Sequence, residues 1–240
     1  MKASAIIVAA GSGTRLGFNR PKAFVELCGR PLLAYSLRTI AAVSAIEEAV
    51  VTIPEGMQSQ ARVLIREIGL EIPVKLTPGG AERQDSVRIA LELTSAEAEM
   101  ILVHDAARPF ATPAMFEAAL AAAQRCGGAI AAIPVADTLK RVGEDSGDTR
   151  NGGRTIVGTV TRANRWQAQT PQAYRRKLLI QAHQRAVTDR IVTTDDSNLV
   201  EDLGVRVEIV DGSALNFKIT TPDDLYLAEL AAAAATGRWV

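Results

Sequence analysis

The chain has 240 residues, of which 48% are hydrophobic and only 4% aromatic, so Ala, Val, Ile and Leu must fill a sizeable core. Lys+Arg and Asp+Glu each total 27, giving zero formal net charge; general nucleic-acid and membrane-surface binders need a basic excess, so any anion site must be a local gathering of cations. Cys28 and Cys126 are the two cysteines, a number and spacing that support neither a disulfide framework nor a zinc site. No apolar run approaches the ~20 residues that span a bilayer, and no signal-peptide pattern opens the sequence. The expectation is a cytoplasmic protein with no nucleic-acid and no membrane partner.

Ile6-Ile7-Val8-Ala9-Ala10 is a short apolar run suited to a strand buried on both faces. It breaks at Gly11-Ser12-Gly13, and Thr14, Arg15 and, after a polar loop, Pro21-Lys22 follow. Glycines after a buried strand let the backbone turn tightly and lie against a ligand. Exposed N–H groups in such a turn attract anions, and two cations beside them suit a polyphosphate. Two better-known phosphate loops do not fit: a Walker pattern begun at Gly11 or Gly13 meets Leu16 or Phe18 where its second glycine belongs, and a dinucleotide pattern begun at Gly11 meets Leu16 as its third. A strand-to-loop turn with solvated cations is the plain alternative.

Downstream, Pro31–Ala42 carries Leu32, Leu33, Leu37 and Ile40 at helical spacing, 49–53 is a second buried strand, 58–68 a helix and 74–76 a short strand. Strands alternating with helices imply βαβ units and a largely parallel sheet. Gly79-Gly80 then precede Ala81 and a helix that holds Ser86 in its first turn, which suits either a ligand contact or an ordinary cap. The strand 100–103 ends in His104-Asp105-Ala106-Ala107-Arg108. Ligands of open α/β sheets sit outside such strand ends, so Asp105 and Arg108 are candidates, against a local ion pair that only shapes the turn. His104 reads as a structural, hydrogen-bonded histidine, and His183 as a residue on a helix surface without a signal.

The segment 112–125 is an Ala-rich helix and 127–135 a buried strand. From Gly143 to Gly153 the chain is polar and glycine-rich, and 155–161 alternates like an exposed strand. An arm over 139–165 that pairs with a second subunit accounts for this, and a surface loop accounts for it equally. Tyr174–Ala186 reads as a helix, 197–202 as a short helix, 205–210 as a strand and 216–219 as the last strand. Thr221-Pro222-Asp223-Asp224 is a cap, a first-turn proline and two acids, predicting a helix through Ala235 to a stop at Gly237. The fold expected is α/β, a Rossmann-like mostly parallel sheet with helices on both faces plus a protruding β-arm, in a single domain over 1–240.

The motifs AAGSGTRLG…PK, GGAERQDSV, HDAARPF, PVADT.K, TR…W..QTPQ, TDD and NFKITTPDDL occur in that order. Together they resemble the 2-C-methyl-D-erythritol 4-phosphate cytidylyltransferase family over essentially the whole chain. The first motif alone is shared by the wider sugar-nucleotidyltransferase superfamily, and a sister family acts on pentitol phosphates. The resemblance implies transfer of a cytidylyl group from CTP to methylerythritol phosphate with Mg²⁺ held mainly by the CTP phosphates, and a homodimer formed through the β-arm. It assigns Arg15, Lys22 and Lys218 to catalysis. Ala9, Ala10, Gly11, Gly13, Gly80, Ala81, Ser86, Asp105 and Ala106 fall to the nucleotide. Asp105, Arg108, Thr138, Arg162 and Thr194 fall to the polyol phosphate, with Arg162 reaching across from the partner. Ala81 departs from members that carry Asp there, leaving only a backbone contact, and the arm around 145–153 is longer than in compact members. A phosphomonoester is already an oxyanion at neutral pH, so such a transfer needs positioned positive charge and no general base. Transfer to another polyol phosphate such as ribitol 5-phosphate and a non-catalytic nucleotide-binding regulator are the alternatives.

Overall fold

A computed structural model describes residues 1–17, 20–143 and 154–234. In chain order the strands are β1 (Ala3–Val8), β2 (Glu26–Leu27), β3 (Arg30–Pro31), β4 (Ile46–Ile53), β5 (Val74–Pro78), β6 (Met100–Asp105), β7 (Gly128–Pro134), β8 (Leu139–Val142), β9 (Ile156–Val160), β10 (Trp166–Arg175) and β11 (Val207–Asp211). The helices are α1 (Leu32–Ala41), α2 (Gln58–Ile68), α3 (Arg83–Glu92), α4 (Pro113–Cys126), α5 (Arg176–Asp189), α6 (Asp196–Glu201) and α7 (Pro222–Ala234). Seven strands form one sheet in the order β11-β7-β10-β6-β1-β4-β5. Every neighbouring pair is parallel except those made by β10, which runs against both β6 and β7. The mostly parallel α/β architecture expected from the sequence is present. No described helix is long and apolar enough to cross a membrane.

The alternation of side chains along the central strands divides the interior into two layers. Ala5 and Ile7 of β1, Leu102 of β6 and Val51 of β4 join α1, α2 and α4 in one cluster. Ile6, Ile101, Val103 and Val50 face the other way and pack with α3, α5 and α6. A third cluster ties α7, through Leu225 and Ala228, to Leu16, Leu27, Phe110 and Ile219. Helix starts follow their capping chemistry. Thr112 accepts from Met115 N ahead of Pro113, and Asp224 Oδ2 accepts from Thr221 N at 2.8 Å while Thr221 Oγ1 accepts from Asp224 N.

The structure corrects two expectations. Tyr174 does not open a helix; it is fully buried near the end of β10, and α5 starts only at Arg176. This strand escapes a hydrophobicity reading because its inward residues are polar: Gln169, Thr170 and Gln172 are all buried. Pro171 sits where the register of β10 against β7 shifts, between Ala168 and Gln172, one of the few places a sheet admits proline. The second correction is that 216–219 forms no strand. A 3₁₀ turn spans Ala214–Asn216, and the segment beyond is tied down by side chains and by Ile219 N donating to Ala107 O at 2.9 Å.

β8 and β9 form a separate antiparallel hairpin. Its apolar side chains Leu139, Val142, Ile156 and Val157 are exposed, as is Trp166 at its base. The arm's expected tip at 145–153 lies outside the described residues, as does the helix stop at Gly237.

The buried setting of Tyr174 has a measurable consequence. Its hydroxyl donates to Gln172 Oε1 at 2.9 Å and its ring fills the layer under α5. Tyr174→Ala is expected to lower the unfolding free energy by about 3–5 kcal/mol in urea titrations, the usual cost of emptying a buried aromatic site; a loss below about 0.5 kcal/mol, normal for an exposed position, would contradict the burial.

Candidate active site

Three strand ends converge on one cavity. β1 delivers the loop 9–13, β5 delivers Gly79-Gly80, and β6 delivers Asp105 followed by Ala106. The cavity, of ≈ 450 Å³, is lined by Ala9, Ala10, Gly11 and Gly13, by Gly80, Ala81 and Ser86, by Asp105 and Ala106, and by Lys22 and Lys218. It forms outside the carboxyl ends of parallel strands, where open α/β sheets place their ligands.

Close approach demands glycine at several points of these loops. A Cβ on Gly79 would stand 2.2 Å from Ala10 Cβ and 2.9 Å from Ser86 Oγ, so only hydrogen lets the β5 loop lie against the β1 loop. Gly13 has φ +75°, and a Cβ there would meet Lys22 N at 3.0 Å. Lys22 N also donates to Gly11 O at 3.3 Å, so the glycine loop and the turn that carries Lys22 form one unit. Ser86 is engaged with its own loop: its Oγ accepts from Gly80 N at 3.0 Å and donates to Glu82 O at 3.2 Å. Of Arg15, the structure describes the backbone, within the 3₁₀ turn Thr14–Leu16.

Asp105 is the electrostatic centre. Arg83 Nε donates to its Oδ1 at 3.1 Å and Lys218 Nζ to its Oδ2 at 2.7 Å. Arg108 Nε lies 4.0 Å away, so the Asp105–Arg108 contact is the weakest of the three. Burial alone would raise the carboxyl pKa, but the charges of Arg83 and Lys218 outweigh it and hold Asp105 far below the usual carboxylate range. Arg83 donates through Nη1 to buried Asp196 Oδ2 at 2.6 Å. Burial works against its charge, yet Asp105 and Asp196 raise its pKa above the ordinary value.

His104 is the structural histidine expected. It is fully buried, with Nδ1 3.0 Å from Thr170 Oγ1 and Nε2 3.3 Å from Arg108 O. Asp105 N donates to the same threonine oxygen. A neutral ring that donates from Nε2 and accepts at Nδ1 satisfies every member of this set. Burial lowers the pKa of His104 to about 4, with Asp105 opposing.

His183 corrects the sequence reading. It is buried, not on a surface, and its Nε2 lies 3.1 Å from Asp196 Oδ1. The inward residues of α5, Leu179, Ala182, His183 and Ala186, follow helical spacing, a signal that places His183 on the buried stripe. Arg83 and Thr220 also line the cavity without having been singled out. The segment with Lys218 is aimed by Asn216, whose Nδ2 donates to Gln169 Oε1 and to Thr170 O, both at 2.9 Å.

The comparisons with known proteins fall on this geometry. The family model for 2-C-methyl-D-erythritol 4-phosphate cytidylyltransferase matches residues 3–233. The chain belongs to that family. It is 45% identical over 239 residues to the 2-C-methyl-D-erythritol 4-phosphate cytidylyltransferase of Deinococcus radiodurans, covering 100% of this chain and 93% of the relative. It is 40% identical over 234 residues to that of Syntrophus aciditrophicus, covering 95% and 94%. The crystal structure of 2-C-methyl-D-erythritol 4-phosphate cytidylyltransferase from Thermus thermophilus superposes with a TM-score of 0.78 at 36% identity, over 97% of this chain and 100% of the other. The 4-diphosphocytidyl-2C-methyl-D-erythritol synthase of Anaerococcus prevotii gives 0.82 at 28% identity, over 97% and 98%.

Within this cytidylyltransferase-family chain, the residues expected at the polyol phosphate are less gathered than those expected at the nucleotide. Arg108 donates to Asn216 O at 2.8 Å and to Ala168 O at 3.4 Å. Thr138 and Arg162 lie at the base of the hairpin, exposed, with Arg162 donating to Ala136 O. Thr194 is exposed just before Asp195, the N-cap of α6. None of these four lines the cavity of its own chain.

His104 gives a pH signature. The folded ring stays neutral down to about 4, whereas an ordinary histidine takes a proton near 6.5. Between those values the unfolded chain holds the extra proton, so stability falls as pH falls through that window, by at most about 3 kcal/mol. Urea titrations from pH 7 to 4 are expected to show this slope, and His104→Gln to remove its share; an unchanged slope in that variant would place the ring's pKa near its ordinary value.

Proposed function

We propose that the cavity binds CTP and 2-C-methyl-D-erythritol 4-phosphate, and that the chain transfers the cytidylyl group from the first to the second, releasing pyrophosphate, as a cytoplasmic step of isoprenoid biosynthesis. The observation that carries this reading is the placement of Lys22 and Lys218 on one cavity with the glycine-loop backbone. In the reaction an oxygen of the substrate phosphate attacks the α-phosphorus of CTP, a new P–O bond forms, and the bond to the β-phosphate oxygen breaks. Pyrophosphate leaves with the electron pair, and no proton has to move.

The barrier is the approach of two anions and the charge that grows on the leaving group. Preorganised positive charge and in-line positioning meet both demands. Lys22 and Arg15 serve the triphosphate, and Lys218 serves the α-phosphate. The backbone around Ala9–Gly13, with Gly80, Ala81, Ser86 and Ala106, encloses the nucleotide. Asp105, anchored through Arg83, accepts from substrate hydroxyls, and Arg108 and Thr194 belong to the polyol-phosphate side.

Mg²⁺ fits this donor set. Each oxygen of Asp105 keeps lone pairs beyond its bond to Arg83 or Lys218, and one carboxylate beside a polyphosphate suits a hard cation that keeps most of its shell as phosphate and water. Asp105 would hold it; when bound, the metal neutralises part of the phosphate charge.

The second copy belongs to the same reading. The exposed apolar hairpin residues Ile156 and Val157 suit burial against an identical arm. Such pairing would bring Thr138 and Arg162, away from their own cavity, toward the partner's. Val157→Glu is expected to shift the protein from dimer to monomer in light scattering after size exclusion; a monomer in the parent protein would end this part of the reading.

Pyrophosphate release with CTP, Mg²⁺ and methylerythritol phosphate, with ribitol 5-phosphate in parallel, tests the activity. Release with the first acceptor is expected; release with ribitol 5-phosphate alone moves the chain to another acceptor. Lys22→Ala is expected to lower kcat by about 10²–10³, roughly 3–4 kcal/mol of transition-state stabilisation. Near-normal turnover would remove Lys22 from the mechanism.

A further inference from the structure

Beneath the cavity a chain of charged and polar groups leads away from its lining. Lys218 touches Asp105, Asp105 touches Arg83, Arg83 touches Asp196, and Asp196 lies against His183. Asp196 and His183 are buried and lie outside the cavity lining. Such an arrangement is costly to assemble, because each buried charge needs a partner held in good geometry. It is also more than Asp105 alone requires, since Asp196 pairs with Arg83 and His183 with Asp196, not with that carboxylate.

We infer that Asp196 is a positioning residue: by gripping Arg83 at one nitrogen, it keeps the guanidinium on Asp105 while Lys218 leaves that carboxylate for the phosphate. The inference rests on the functional reading of Lys218 given above.

The geometry explains why two aspartates are needed. Arg83 leads α3 and spends Nε on Asp105 and Nη1 on Asp196, so its planar fork is fixed at two points. With one point removed, the guanidinium can rotate about the other toward the charge that grows on the phosphates as the bond to the leaving group breaks. Asp105 would then lose its second cation at the moment Lys218 is recruited, leaving a buried carboxylate with only the distant Arg108, at 4.0 Å, among its protein cations. Asp196 is itself held: it opens α6 next to the cap Asp195, whose Oδ1 accepts from Gln172 Nε2 of β10 at 2.8 Å. His183 closes the other side of Asp196, with both ring nitrogens lacking an aligned hydrogen-bond partner, so the ring serves as a close wall against the carboxylate. The grip on Arg83 is thus anchored in the sheet and in two helices.

The test is steady-state kinetics with CTP and methylerythritol phosphate on the full chain, together with thermal melts. Asp196→Asn, if folded, is expected to lower kcat about tenfold while changing KM for CTP less than about twofold, because the defect appears when Lys218 moves and not when the nucleotide binds. Combined with Asp105→Asn, it is expected to add less than a further twofold, since it acts through that carboxylate. Arg83→Lys keeps the charge but not the fork, and is expected to reproduce the kcat loss should Asp196→Asn not fold. Wild-type kcat in either variant, or a loss that multiplies fully with Asp105→Asn, overturns the inference. A parent protein silent with both substrates defeats the functional reading instead, and the crystal structure of the variant then decides the positioning role. A guanidinium still 3.1 Å from Asp105 in Asp196→Asn, or an ammonium at position 83 still bridging both carboxylates in Arg83→Lys, overturns it. Displacement of that cation from Asp105 supports it.

Discussion

The structure turns on one buried negative charge. Asp105 ends a central strand with its carboxylate almost wholly removed from water, which is tolerable only because Arg83 and Lys218 reach it from distant parts of the chain. Lys218 is 113 positions away in sequence, and Arg83 makes a second pair with Asp196, also 113 positions from it. One carboxylate therefore draws together the end of β6, the start of α3 and the approach to α7, with α6 joined through Arg83. The walls of the cavity are in large part the segments that this charge requires to be near one another.

A second layer of polar order supports the first. Thr170 accepts from the backbone of Asp105 and meets His104, while its carbonyl accepts from Asn216, which aims the segment carrying Lys218. Buried polar groups that satisfy one another fix a single arrangement more sharply than apolar packing does. The antiparallel strand β10 is where this happens, and its Gln-rich sequence follows from that duty. An apolar strand in the same place would pack as well but would take from Asn216 its Gln169 acceptor and leave the amide of Asp105 without one.

The sequence made the alternating strands and helices legible because β1, β4 and β6 are continuous apolar runs and the helices show clear stripes and caps. It made the glycine-loop side of the cavity legible as well, since Gly11, Gly13, Gly79 and Gly80 follow strands and Asp105 ends one. β10 was hidden because a strand buried among polar partners carries no apolar signature, and its proline argued against it. The segment at Lys218 looked like a strand because Phe217 and Ile219 alternate with polar residues, though side-chain amides hold it. His183 could have been placed from the stripe it shares with Leu179 and Ala186. The pairing of Arg83 with two aspartates could not, because it depends on how α3, the end of β6 and α6 meet in space.

The position of β10 also sets an order of assembly. β7 follows β6 in the chain but does not pair with it; β10 must come between them. During synthesis β5, β4, β1 and β6 can join as a parallel unit once residue 105 has emerged, yet β6 then remains an open edge while some sixty further residues are made. β7 has no neighbour in the sheet until β10 arrives, and β11 has none without β7. The nascent chain thus carries an unpaired strand edge beside Asp105 for much of its synthesis, and one late insertion covers that edge and brings Thr170 to the amide of Asp105 together.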